Sequence, residues 1–191
     1  MPNHITNRLT INGTDEQVKE VLDFLKSKTT DEEGYRRAID FNNIIPMPEE
    51  LANTTESNRP DDEAKMAENK KKYGYRSWYD WSLDKWGTKW NAYDIDQYDN
   101  VVIFHTAWAG VPELMSKLAQ MFPKVSFDYA FADEDVSYNV GMFEFNGDEL
   151  IETPIENGSR EAYELCFELG VADPDDFELV DGNYEWIDSE D

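Results

Sequence analysis

A single cysteine, Cys166, stands in the whole chain. No internal disulfide is possible, and no zinc site built on cysteine pairs can form. That usage fits a reducing compartment. Histidine is nearly as scarce, with only His4 and His105. Neither has the spacing of a metal site, and no serine or cysteine sits in a nucleophile-elbow motif. No apolar run approaches the length of a membrane span. The opening residues MPNHITNRLTI lack the basic flank and apolar block of a secretory signal. The expectation is a cytoplasmic protein with no membrane contact, no cofactor and no bound metal.

Basic residues are also in short supply, at 17 Lys+Arg against 42 Asp+Glu, for a net charge of −25. The imbalance is concentrated. Residues 133–191 carry 20 acids and one base, Arg160, while residues 1–132 carry 22 acids and 16 bases. Such a surface repels nucleic acid and attracts basic protein surfaces, and it also keeps a protein dispersed. Apolar residues make up 40% and aromatic residues 14% of the chain, enough for a core.

The centre of the chain is 78–118, which holds five of the six tryptophans and His105. Before it, residues 5–12 alternate as a half-buried strand. Val18, Val21, Leu22 and Leu25 then make one apolar helical stripe behind a Thr14 or Asp15 cap. Residues 29–37 are a polar connection. Residues 39–45 are expected as a second strand, ended by Pro46 and Pro48. A polar loop follows at 49–60. Residues 60–73 form a helix with acids first and bases last, stopped by Gly74. Residues 78–86 form an aromatic helix that Ser77 caps and Gly87 ends.

Residues 101–104 are a continuous apolar run suited to a central strand. Pro112 opens the next helix, whose stripe is Leu114, Met115, Leu118 and Met121. Strands are expected at 125–132, 136–145 and 149–151, with Asn146-Gly147 as a hairpin turn. A helix at 159–169 turns Ala162, Leu165, Cys166 and Leu169 inward. Residues 177–180 and 184–187 flank Asp181-Gly182-Asn183 as a terminal hairpin.

The order of the first four strands and two main helices is βαββαβ. The expected class is α+β, a ferredoxin-like antiparallel sheet with helices on one face. In this layout residues 1–150 are the domain. A helical and aromatic insertion occupies about 49–98, between the second and third strands. Residues 151–191 are an acidic α/β extension packed on the domain.

Several blocks in order carry a family resemblance: MPNHITNRLTI, IDFNNIIPMPEEL, WGTKWNAYD, FHTAW and FDYAFADED. Over roughly residues 1–150 the chain resembles the YubB/Api92-like proteins. The resemblance implies a ferredoxin-like domain and carriage by phages, plasmids and other mobile elements. It implies no reaction and no catalytic residues. The acidic segment after Asp148 lies largely outside it.

Three constellations are open to function. Trp78, Trp81, Trp86 and Trp90, with Tyr79 and the nearby Lys85 and Lys89, have the make-up of a stacking platform for bases or sugars. Their helical spacings favour core packing, and no RNP-type run accompanies them. His105 is placed for an acid–base pair with Asp94, Asp96 or Asp133, or for a buried structural role. The third is carboxylate: Glu161, Glu164 and Glu168 share one helix side, followed by Asp173, Asp175 and Asp176. A calcium loop fails there, because Phe177 stands where a ligand is needed and the sixth place is not glycine.

The function expected first is therefore a non-enzymatic mobile-element protein. It would bind a basic surface of a host protein through Glu161, Glu164, Glu168, Asp173, Asp175 and Asp176. One concrete form is an anti-CRISPR or anti-restriction inhibitor that mimics nucleic acid before a nuclease. The alternatives are a small-ligand or nucleotide-processing enzyme, or a single-stranded nucleic acid binder. Both would use the Trp78–His105 neighbourhood.

Overall fold

The computed structural model describes residues 2–30, 34–57 and 59–187. Part of the expected connection at 29–37 lies outside them, as do the last four residues of the acidic segment. Strand β1 (His4–Asn12) alternates strictly, with Ile5, Asn7, Leu9 and Ile11 inward. Helix α1 (Asp15–Leu25) opens on a capping box, in which Thr14 accepts from the Gln17 amide and Gln17 reaches back. That reciprocal pair satisfies two amides that a helix start leaves without partners. At its other end the Asn43 amide group donates to the carbonyls of Leu25 and Lys26, at 3.2 and 2.8 Å.

Asn43 belongs to the stretch expected as the second strand, and the expectation is wrong. Residues Phe41–Asn43 form one 3₁₀ turn. The Asp40 carboxylate accepts from the Asn42 amide and caps it. Phe41 and Ile44 are both buried, a spacing of three that suits a helical turn rather than a strand. Three helices follow: α2 (Glu49–Ala52), α3 (Pro60–Tyr73) and α4 (Trp78–Lys85). Gly74 ends α3 in the left-handed region at φ 83°, which glycine adopts without penalty.

The true second strand is β2 (Tyr93–Tyr98), joined by Asp99-Asn100 to β3 (Val101–Ala107). The helical segment is therefore inserted between α1 and β2, and β2 lies inside the stretch expected as insertion. Helix α5 (Pro112–Met121) and strands β4 (Ser126–Asp133), β5 (Val140–Asn146) and β6 (Glu149–Thr153) follow. The sheet order is β2-β3-β1-β4-β5-β6, antiparallel at every pairing. Its first four strands run 2-3-1-4, the ferredoxin-like order, and β5 and β6 extend it.

One face of the sheet carries Ile5, Leu9, Ile11, Val102, Phe104, Phe127, Tyr129, Phe143 and Phe145, all buried. Against it pack Val21 and Leu25 of α1 and Leu114, Met115 and Leu118 of α5. The insertion enlarges this core with Phe41, Leu51, Trp81 and Trp86. Helix α6 (Arg160–Glu168) contacts β4 and β5 and buries Ala162, Leu165 and Cys166. The opposite sheet face, where Ala130 and Ala132 are buried, is the one it covers, since Glu168 reaches Arg8 on that side of β1. A hairpin of β7 (Phe177–Val180) and β8 (Asn183–Trp186) leans on α6 through Tyr163, Phe167, Phe177 and Tyr184. Asp181 and Gly182 both have positive φ, at 50° and 92°, as a two-residue hairpin turn requires.

Candidate functional site

The tryptophans expected as one platform are divided between core and surface. Trp81 and Trp86 are 5% exposed. Trp86 donates its indole N–H to the Ile45 carbonyl at 2.9 Å, and its ring meets Trp81 and Phe41 edge-on. Neither can meet a ligand. Trp78 is half-buried and packs edge-on to Tyr79. Trp90 reaches the surface, and with it the structure gathers residues from three strands. Its ring lies 6.2 Å from Tyr93, which lies 5.8 Å from His105 and 5.7 Å from His4.

His105 is held on one side only. Its Nε2 lies 3.3 Å from the Thr6 hydroxyl. Its Nδ1 is buried with no hydrogen-bond partner among the described residues, and the nearest carboxylate, Asp94, is 3.5 Å away. Of the other expected partners, Asp96 stands opposite Ile103. Asp133 is engaged elsewhere: its oxygens accept from Asn3, Asn139 and the Asp135 amide at 3.0, 2.7 and 3.0 Å. No hydrogen-bonded acid–base pair is formed. The Tyr93 phenol is pushed up, first by desolvation and then by the charges of Asp94 and Glu134. Burial likewise pushes the Cys166 thiol up, against the opposing effect of the Ser137 amide that points at its sulfur. A thiol raised in this way is a poor nucleophile.

The predicted acidic residues are all exposed, but they do not form one free stripe. Glu164 accepts from Arg160 at 2.7 Å, and Glu168 from Arg8 at 2.6 Å. Glu161 has no ion pair among the described residues. Asp173 caps a 3₁₀ turn by accepting from the Asp175 amide. No group of three or more His, Cys, Asp or Glu among the described residues could hold a metal ion.

Sequence reasoning missed two carboxylate pairs. Glu178 stands directly opposite Glu185 in the β7–β8 hairpin. Asp128 stands opposite Glu144 between β4 and β5, with Asn12 donating to Asp128 at 2.8 Å. The first pair was within reach, because a two-residue turn at Asp181-Gly182 fixes that register.

Residues 85–175 match a family model described as the ferredoxin-like domain in Api92-like protein. Over these residues, just under half of the chain, the protein is similar to that domain. The match spans β2 through α6 and so includes Glu161, Glu164 and Glu168. The resemblance read from the sequence covers roughly residues 1–150, whereas the match begins at residue 85 and runs to 175. No curated protein and no solved structure matches the chain. No helix among the described residues is long and apolar enough to cross a membrane.

Proposed function

We propose that this Api92-like chain is a non-enzymatic binding module whose acidic C-terminal segment seats on a basic surface of a host protein. In its concrete form it is a mobile-element anti-defence inhibitor that stands in for nucleic acid at a nuclease. One observation carries the reading: two carboxylates stand opposite one another in the terminal hairpin with no ion pair to either among the described residues. Glu178 opposes Glu185, and the only base from residue 133 onward, Arg160, is already bound to Glu164. Like charges directly opposite on a sheet destabilise it, by roughly a few tenths of a kcal/mol or more per pair. Lysines or arginines of a partner would relieve that repulsion on binding. The association would be steered and weakened by salt.

The competing readings draw less support. A nucleotide enzyme or a single-strand binder loses Trp81 and Trp86 to the core, and the carboxylate nearest His105, Asp94, is 3.5 Å away with no hydrogen bond to it among the described residues.

The test uses the full chain as bait in host lysate at low and at moderate salt, with recovered proteins quantified by mass spectrometry. Candidates are then competed with duplex DNA. A nucleic-acid-binding protein that is released by DNA, by salt and by the pair Glu178→Gln/Glu185→Gln is the expected outcome. A partner retained equally by parent and variant at both salt levels would sink the electrostatic reading.

A further inference from the structure

The strongest unexplained feature is Trp108. It sits just past the end of β3 with φ at 75°, in the left-handed region that a bulky side chain rarely adopts. It is also 41% exposed, so core packing does not compensate for that backbone. Yet the position is held with care. The Trp108 amide donates to the Asn3 carbonyl at 3.0 Å, and its own carbonyl accepts from the Asn139 side chain at 3.0 Å. Both asparagines are in turn gripped by the two oxygens of one carboxylate, Asp133, which is 4% exposed. A buried carboxylate thus fixes both peptide groups of an exposed, strained tryptophan. Strain that the surroundings over-determine in this way gathers at ligand clamps.

The ring is not alone. Thr88 both donates to and accepts from the backbone of Ala107, which pins its loop to the end of β3. The next two residues of that loop are thereby set beside Trp108. Lys89 places its ammonium 5.1 Å from the centre of the Trp108 ring and 4.5 Å from that of Trp90. Tyr79 meets Trp108 edge-on at 6.4 Å. Trp90 is 37% exposed, so two indole faces are presented together. Two carboxylates lie on the Tyr93 side of this surface: Glu134 accepts from the His4 amide and Asp94 lies 3.5 Å from His105, and both histidine rings pack against Tyr93, the ring next to Trp90. Exposed indole faces with flanking carboxylates are complementary to a cation.

We propose that Trp108 and Trp90 form a receiving site for the cationic side chain of a protein partner, an arginine or a lysine. Lys89 is its internal occupant, which the incoming side chain displaces. Exposed tryptophans of this kind are the residue type that dominates binding energy at interfaces. The same carboxylates that favour a cationic side chain disfavour a phosphate backbone, so the partner is protein and not nucleic acid. The site lies at the end of the sheet where β1 begins and β3 and β4 finish. It uses none of the carboxylates of α6 or of the β7–β8 hairpin.

The test is a titration of the full, isotope-labelled chain, followed through its six indole N–H resonances. The probes are acetyl-arginine amide and acetyl-lysine amide, with acetyl-citrulline amide as the neutral isostere. The signals of Trp108 and Trp90 should move saturably with the two cations and stay put with citrulline. In Lys89→Met the same cations should bind several-fold more tightly. Unmoved signals in both proteins, or an equal response to citrulline, would overturn the proposal. So would a response to a short oligothymidylate, which would mark a nucleobase platform instead.

Trp108→Gly separates binding from folding, because glycine is at ease at this φ. It should lose the cation response without a lower melting temperature. A clear fall in melting temperature would make Trp108 structural and defeat the proposal. Glu178→Gln/Glu185→Gln should leave the titration unchanged, so failure of the acidic-surface reading is distinguishable from failure here.

Discussion

Tyr129→Phe removes one oxygen atom from the middle of the core. Tyr129 is 1% exposed, and its hydroxyl links three elements. It accepts from the Val111 amide at the start of α5, at 2.7 Å, and donates to the Asn7 side chain on β1, at 2.5 Å. Asn7 spends its amide group on the carbonyls of Ile5 and Phe104 and on the Thr106 hydroxyl. It has no slack to turn toward another donor. Phenylalanine therefore strands two buried groups, the Val111 N–H and the Asn7 carbonyl oxygen. Each stranded group costs about 1–3 kcal/mol, so a loss of about 2–6 kcal/mol is expected. With a urea slope of about 2 kcal/mol per molar, the midpoint should fall by about 1–3 M at unchanged slope. Tyr98→Phe, at an exposed ring, is the control and should stay within about 0.5 kcal/mol of the parent. A Tyr129→Phe protein within that same margin would refute the reasoning, because it would mean that water or a backbone shift replaces the hydroxyl without cost.

Three further outcomes are expected. Trp86→Ala should lose about 3–5 kcal/mol in the same assay, as a buried tryptophan does, while Trp90→Ala at the surface loses under about 1 kcal/mol. Cys166 should react slowly with a disulfide reagent at neutral pH and fast in urea. Because its folded pKa is raised, the stability it contributes is present below the ordinary thiol value and is lost as pH rises above it, which alkaline urea titrations would register. The Glu50 carboxyl, held by Lys72 and next by Tyr73, is lowered to about 2. Its tie between α2 and α3 is present above the ordinary carboxylate range and fades as pH falls toward that value, and a carboxyl NMR titration that gives an ordinary midpoint would deny it.

Much of the fold was legible because its periodicities are clean. The stripe of α1, the acid-to-base gradient of α3 and the turn at Asp181-Gly182 each specify one local answer. Two misses have a physical cause. Ile39 to Ile45 is apolar enough for a strand, but its Asp40, Asn42 and Asn43 side chains bond to nearby backbone and close a turn instead. Tyr93–Tyr98 falls within the expected insertion because it is an edge strand with two aspartates and a bulge after Tyr93, and edge strands carry such charge to stay unpaired on the outside. Within β3 the inward residues are Val102 and Phe104, and Ile103 is only half-buried on the other face. The candidate site was legible in part. Trp90 and His105 do share a surface, but Trp108 enters through a left-handed backbone that its sequence does not announce. Its clamp joins residues 3, 108, 133 and 139, a conjunction that only the topology makes.

Strand β1 sits in the middle of the sheet, yet both of its neighbours are distant along the chain: Ile5 pairs with Thr106 on one side and with Asp133 on the other. During synthesis β1 must wait for β3 and β4, both far along the chain, before either partner exists. Contacts of such long sequence separation close slowly, on the millisecond-to-second scale for sheets of this kind. In the interval Ile5, Leu9 and Ile11 lack both sheet partners, and an unpaired apolar strand is a template for aggregation. The nascent chain should therefore depend on holding chaperones until β4 is out of the ribosome. A circular permutant that starts at β3 and appends β1 after β8 should fold differently in rate while reaching the same sheet.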